Sequence, residues 1–157
     1  PFRYESCIKD LICTLKYRQR PELAKAAASL LMGELIESDF EPPDALIAVP
    51  MHLSRLRERG YNHSTLIAQH LSKTLNIPLL KGTLRKTRRT KPQATQSLKQ
   101  RKKNLAGSFS LIKMINAKNV AIIDDVMTTG STAEEIAKIL KKNGVDYVQV
   151  WGIAHTL

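Results

Sequence analysis

The sequence predicts an α/β domain: an open, mainly parallel sheet with helices on both faces. Two short apolar runs, ALIAVP at 45–50 and VAII at 120–123, have the composition of strands buried on both sides. The segments between and around them carry helical periodicity, and the two kinds of segment alternate without an internal repeat.

Taken in order, Ser6 to Tyr17 and Glu22 to Ile36 read as helices. In the second, Leu23, Ala27, Leu31 and Leu35 form one stripe, and Pro21 stands where a first-turn proline is tolerated. Pro42 and Pro43 end this helical region, and Asp44 and Pro50 bound the first apolar strand. Residues 62–76 return to helix with Ile67, Leu71 and Leu75 on one face, while Ile77 to Leu80 make a weak strand. Phe109 to Ile112 and Asn119 to Ile123 read as strands, the second strongly. The next helix has a capping box, Ser131 with Glu134, an apolar face at Ile136 and Leu140, and a close at Lys141, Lys142 and Gly144. YVQVWGIA, 147–154, is the last strand.

Composition narrows the class. At 157 residues and 43% apolar, the chain can bury one sizeable core as a single domain, residues 1–157. Cys7 and Cys13, ~9 Å apart along a helix axis, are too far apart to pair and read as buried free thiols in a reducing, cytoplasmic setting. No apolar run approaches the ~20 residues that span a bilayer, which predicts no membrane insertion. The start shows no signal pattern, and without an initiating Met it reads as part of something longer.

The net charge of +11 is concentrated. Lys81 to Lys103 holds ten basic residues, no acidic one and no aromatic one. Such a segment either faces a polyanion or is a solvated loop. Arg85, Lys86, Arg88, Arg89 and Lys91 are its nucleic-acid candidates. Lacking aromatic platforms, it would hold any nucleic acid through phosphates, with affinity falling steeply as salt rises. Tyr61 and Trp151 lie elsewhere and read as packing residues.

The chemistry collects where the strongest strand ends, in IIDDVMTTGST, 122–132. In open α/β sheets, ligands lie beyond the carboxyl ends of strands and near helix N-termini. Here Met127, Thr128, Thr129, Gly130, Ser131 and Thr132 offer backbone N–H groups, four hydroxyls and a glycine, a set suited to a phosphate monoester. Neither GxxxxGK nor GxGxxG is present, which argues against a triphosphate P-loop and a dinucleotide fold. Asp124 and Asp125 precede the cradle. Carboxylates accept only, and the vicinal hydroxyls of a sugar donate, so the combination fits a ribose 5-phosphate. A metal-binding strand end or an ordinary helix entry is the alternative for the acid pair.

Four apolar residues, Asp-Asp, two variable residues and Thr-Thr-Gly-x-Thr, over Val120 to Thr132, closely resemble the ribose-phosphate signature of type I phosphoribosyltransferases. VPMHLSRLRERGYNHSTLIAQHLS, from Val49, and LRKTRRTKPQATQSLKQRKKNLAGSFSL, from Leu84, resemble the ComF/GntX family, related to competence protein F. The resemblance implies binding of 5-phosphoribosyl 1-diphosphate with Mg²⁺, held mainly through the ligand, and a role in DNA uptake during natural transformation. It assigns Asp124 and Asp125 to the ribose and to any catalysis, and residues 127–132 to the 5′-phosphate. Pro50 to Leu53 become the pyrophosphate loop, including Met51 and His52, with Arg55, Arg59 and Asn62 nearby; 85–107 becomes a loop closing over the site, with Arg101 meeting pyrophosphate. A homodimer is compatible with it, and the family's N-terminal four-cysteine zinc module is not in this sequence. Two readings stay open: a phosphoribosyltransferase releasing pyrophosphate, or a non-catalytic factor that handles single-stranded DNA and uses the diphosphate site as a sensor. The remaining histidines show no metal spacing; His63 and His70 read as surface residues on one helical face, and Lys16 as a helix-end cation.

Overall fold

Alternation of side chains along the central strands sets the layering. In β2 (Ala45–Ala48) and β5 (Asn119–Met127), Leu46, Ala121 and Ile123 enter one apolar core, whereas Ile47, Val120 and Ile122 enter another on the opposite face. The computed structural model describes residues 2–88 and 105–156. Its main sheet has the order β1-β6-β5-β2, with every pair parallel, where β1 is Phe2–Arg3 and β6 is Tyr147–His155. The first core is covered by α1 (Ser6–Tyr17), α2 (Leu23–Glu37) and α4 (His63–Leu75). The second is covered by α5 (Ser131–Lys142) and by a two-stranded antiparallel sheet of β3 (Leu84–Lys86) and β4 (Phe109–Leu111). The predicted architecture is therefore observed.

Several local expectations change. β5 does not stop at the aspartates: its ladder with β6 continues to Met127 opposite His155, because backbone pairing is indifferent to side-chain charge. Ile77 to Leu80 forms only a single bridge, Leu46 with Leu79. The capping box is absent. Gly130, at φ 69, takes the cap position of α5, so Ser131 is already helical and its hydroxyl bonds Thr129 Oγ1 at 2.8 Å. Cys13 is half-buried and Cys7 exposed, rather than both buried. A seven-residue helix, α3 (Leu53–Arg59), follows the first apolar strand, capped by His52 and closed by Gly60 at φ 84. Trp151 packs edge-on against Phe40 at 5.2 Å, and the hydroxyl of Tyr61 donates to the carbonyl of Leu15, so both are packing residues as expected.

Candidate functional site

The carboxyl ends of β2 and β5 open onto a cleft of about 330 Å³. Its wall combines Pro50, Met51 and His52 after β2, Arg55 and Arg59 from α3, and Asn62, His63 and Ser64 at the start of α4. Asp124, Asp125 and Thr132 come from β5 and α5, Lys86 from β3, and Lys16 and Tyr17 from the end of α1. Asn62 organises this wall: its amide donates to the Val49 carbonyl at 2.9 Å, and its oxygen accepts from the Ser64 N–H at 3.1 Å. The loop after β2 is thus tied to the first turn of α4.

The two aspartates have opposite environments. Asp125 is buried, with 4% of its surface exposed, not solvent-accessible as a ribose ligand would be. Its Oδ1 accepts from the Val126 N–H at 2.6 Å, while Oδ2 lies 2.7 Å from Lys16 Nζ and 2.5 Å from His63 Nε2. Neither approach to Oδ2 is angled as a standard hydrogen bond, so this oxygen is balanced chiefly by charge. Burial alone would raise the Asp125 carboxyl, but His63 and Lys16 outweigh it and hold the group well below the usual carboxylate range.

Asp124 is half-buried against the cleft. Its Oδ1 accepts from the Asp125 N–H at 2.9 Å and from Ser64 Oγ at 3.4 Å. Burial, followed by the charge of Asp125, pushes its carboxyl up to about 7. Adjacent in sequence, the acids are separated in role: Asp125 is a fixed anion held between the Lys16 ammonium and the His63 ring, and Asp124 is an acceptor poised near neutrality.

The cationic side is equally organised. Arg59 Nη1 lies 3.1 Å from His63 Nδ1, and its guanidinium sits over the Tyr17 ring at 5.3 Å. Lys86 is desolvated, and burial, then Arg55, lowers its ammonium, with Asp124 acting in the opposite sense. His52 Nδ1 accepts from the Ser54 N–H at 3.2 Å, which leaves Nε2 as the donor side of the ring.

Of the residues singled out in the sequence, the cleft gathers Asp124, Asp125, Thr132, Met51, His52, Arg55, Arg59, Asn62 and Lys86. Of the remaining cradle residues, Met127 ends β5, Thr128, Thr129 and Gly130 form the turn beside the cleft, with Thr128 and Gly130 exposed, and Ser131 is buried at the start of α5. Arg85, one residue from Lys86 on β3, lines instead a separate apolar cavity of about 520 Å³. Arg88 is exposed, and Arg89, Lys91 and Arg101 lie outside the described residues. Two expectations fail. His63 is 8% exposed and bound to Asp125, not a surface histidine, and Lys16 serves the site instead of merely ending a helix. Neither pairing is visible in the sequence, because each joins positions far apart in the chain.

The parallel sheet, the Asp-Asp strand end and the hydroxyl-rich turn into α5 define a type I phosphoribosyltransferase fold. The family model for the phosphoribosyl transferase domain matches residues 16–155, and the chain belongs to this family, within its ComF/GntX branch. It is 37% identical to the DNA utilization protein YhgH of Escherichia coli K12 over 158 aligned positions, covering 98% of this chain and 70% of that one. Competence protein F of Haemophilus influenzae is 44% identical over 115 positions, covering 71% of this chain and 50% of that protein. Among solved structures, glutamine phosphoribosylpyrophosphate amidotransferase from B. subtilis superposes with a TM-score of 0.58 at 20% identity, over 90% of this chain and 30% of that one. That likeness concerns the fold alone.

Proposed function

We propose that the cleft binds 5-phosphoribosyl 1-diphosphate, and that the protein acts in the use or uptake of DNA. The observation that carries the ligand is that one cleft is lined by an accessible acceptor, Asp124, by Thr132 of the hydroxyl-rich helix entry and by the cations Arg55, Arg59 and Lys86. Phosphate at residues 127–132, ribose hydroxyls on Asp124 and diphosphate on the cations would match each part of the ligand to complementary groups. Asp125 takes an indirect part, anchoring Lys16 and His63.

Among the described residues no cluster of three or more His, Cys, Asp or Glu could hold a metal by itself. Oδ1 of Asp124 is already bonded and both Asp125 oxygens are engaged, so a Mg²⁺ ion fits here as one carried by diphosphate oxygens, with Asp124 the carboxylate nearest to hand. Bound in that way, it would neutralise leaving-group charge. In a transfer reaction, Arg55 and Arg59 would hold the departing pyrophosphate, and Asp124 would lie beside the positive charge that develops on the sugar. The names of the relatives, DNA utilization protein and competence protein, support the cellular role.

Calorimetric titration with 5-phosphoribosyl 1-diphosphate and Mg²⁺, for the wild type and Asp124→Asn, tests the ligand. Saturable binding weakened at least tenfold in the variant is expected; equal binding by both would remove Asp124 from the site.

A further inference from the structure

We propose that Asp125, His63 and Arg59 form an orienting relay, in which His63 is a positioning residue that aims the Arg59 guanidinium into the cleft. This rests on the ligand reading above only for the identity of what Arg59 meets.

The argument starts from donor chemistry. A guanidinium has donors and no acceptor, so the 3.1 Å contact of Arg59 Nη1 with His63 requires a lone pair on Nδ1. The ring proton then belongs on Nε2, 2.5 Å from Asp125 Oδ2, where the carboxylate's charge favours a proton over a lone pair. The carboxylate therefore selects the tautomer, and the tautomer creates the acceptor that Arg59 needs. The relay is buried at one end and open at the other: Asp125 and His63 are buried, whereas Arg59 is half-exposed and lines the cleft. Tyr17 supports the far face of the guanidinium at 5.3 Å. Lys16 faces Asp125 from α1 and keeps that carboxylate ionised, and Asp124 lies beside it on β5. Arg59 itself sits at the end of the short α3, just before Gly60, so the helix alone constrains its direction poorly.

The relay distinguishes variants that a simple packing role would not. Glutamine places its amide nitrogen where Nε2 stands, restoring the donor to Asp125 but offering Arg59 nothing. Asparagine places an oxygen near the Nδ1 position, restoring the acceptor. Asp125→Asn should act from a distance. The Val126 N–H, 2.6 Å from Oδ1, keeps an oxygen in that position and turns the new NH₂ toward His63, displacing the Lys16 ammonium that faced the carboxylate. That NH₂ would draw the lone pair to Nε2 and the proton to Nδ1, setting donor against donor at Arg59. The logic is that of a triad carboxylate fixing an imidazole tautomer.

The test combines ¹⁵N-histidine NMR of the ligand-free protein with titration of inorganic pyrophosphate and Mg²⁺. In the wild type at pH 8, His63 should carry its proton on Nε2, and in Asp125→Asn on Nδ1. Pyrophosphate affinity should fall about tenfold in His63→Ala and His63→Gln, with His63→Asn recovering the greater part, as loss of one charge-assisted contact implies. A wild-type Nδ1–H tautomer, or equal losses in the Gln and Asn variants, overturns the relay. A wild type with the Nε2–H tautomer that binds no pyrophosphate leaves the relay standing and overturns the ligand assignment.

Discussion

Lys16, in the last turn of α1, places Nζ 2.7 Å from Oδ2 of Asp125 at the end of β5, joining two elements from opposite ends of the chain. Lys16 is largely buried and Asp125 almost wholly so, which makes this a pair whose breakage leaves a charge without its partner. Lys16→Met should destabilise the fold by about 1–3 kcal/mol, less than a fully buried pair would because His63 still faces the carboxylate. Urea unfolding of Lys16→Met, Asp125→Asn and the double variant measures it; strictly additive losses would show that the two groups do not interact.

Asp124 predicts the opposite pH behaviour from Asp125. Its carboxyl is raised to about 7, so the folded state binds a proton that the unfolded chain has already lost above ~4. The associated stability is present at low pH and declines as pH rises from ~4 through 7. Asp124→Asn abolishes the decline, and at pH 8 that variant should be more stable than the wild type by roughly 1–3 kcal/mol. Denaturation midpoints at pH 5 and pH 8 decide it: the gap between variant and wild type must widen at the higher pH. For Asp125, held low, the sign reverses, and its contribution is present above ~4 and lost on further acidification.

Sugar hydroxyls donating to Asp124 favour its ionised form, so binding should release protons between pH 6 and 7.5. Calorimetry in buffers of different ionisation enthalpy reads the number released. Zero release at pH 6.5 would mean that the ligand does not contact Asp124.

Gly152 on β6 lies under Met127, and a Cβ added there would come within 2.9 Å of Met127 Cγ. Gly152→Ala should displace the Met127 side chain at the start of the cradle, costing about 1–3 kcal/mol and weakening phosphate binding. Combining it with Met127→Ala removes the opposing atom, and the double variant should recover phosphate affinity relative to Gly152→Ala. Thermal unfolding and phosphate titration of the single and double variants check the coupling.

Local chemistry is what the sequence made legible. The acid pair, the hydroxyl turn and α5 are contiguous, so their spacing alone locates the cradle. α3 was missed because LSRLRER has no buried apolar stripe; it is defined by the His52 cap and by Gly60. β3 was hidden in a basic run, since only Leu84 among its three residues is buried. His63 looked like a surface residue because its helix gave no hint of the carboxylate that would meet it. The pairings that distinguish Asp125 from Asp124 are tertiary, and adjacent identical residues carry no local signal of their difference.

Parallel pairing of β1 with β6 sets Phe2 beside Ala154, and the site that α1 helps to build rests on β5. Closing so long a loop of chain costs entropy before any contact repays it, and topologies of this kind fold slowly. During synthesis, Lys16 and Tyr17 leave the ribosome long before the strand that receives them. The cleft can form only late, once nearly all of this domain has been translated, and a nascent chain halted before β5 would display its cations without the carboxylates that organise them.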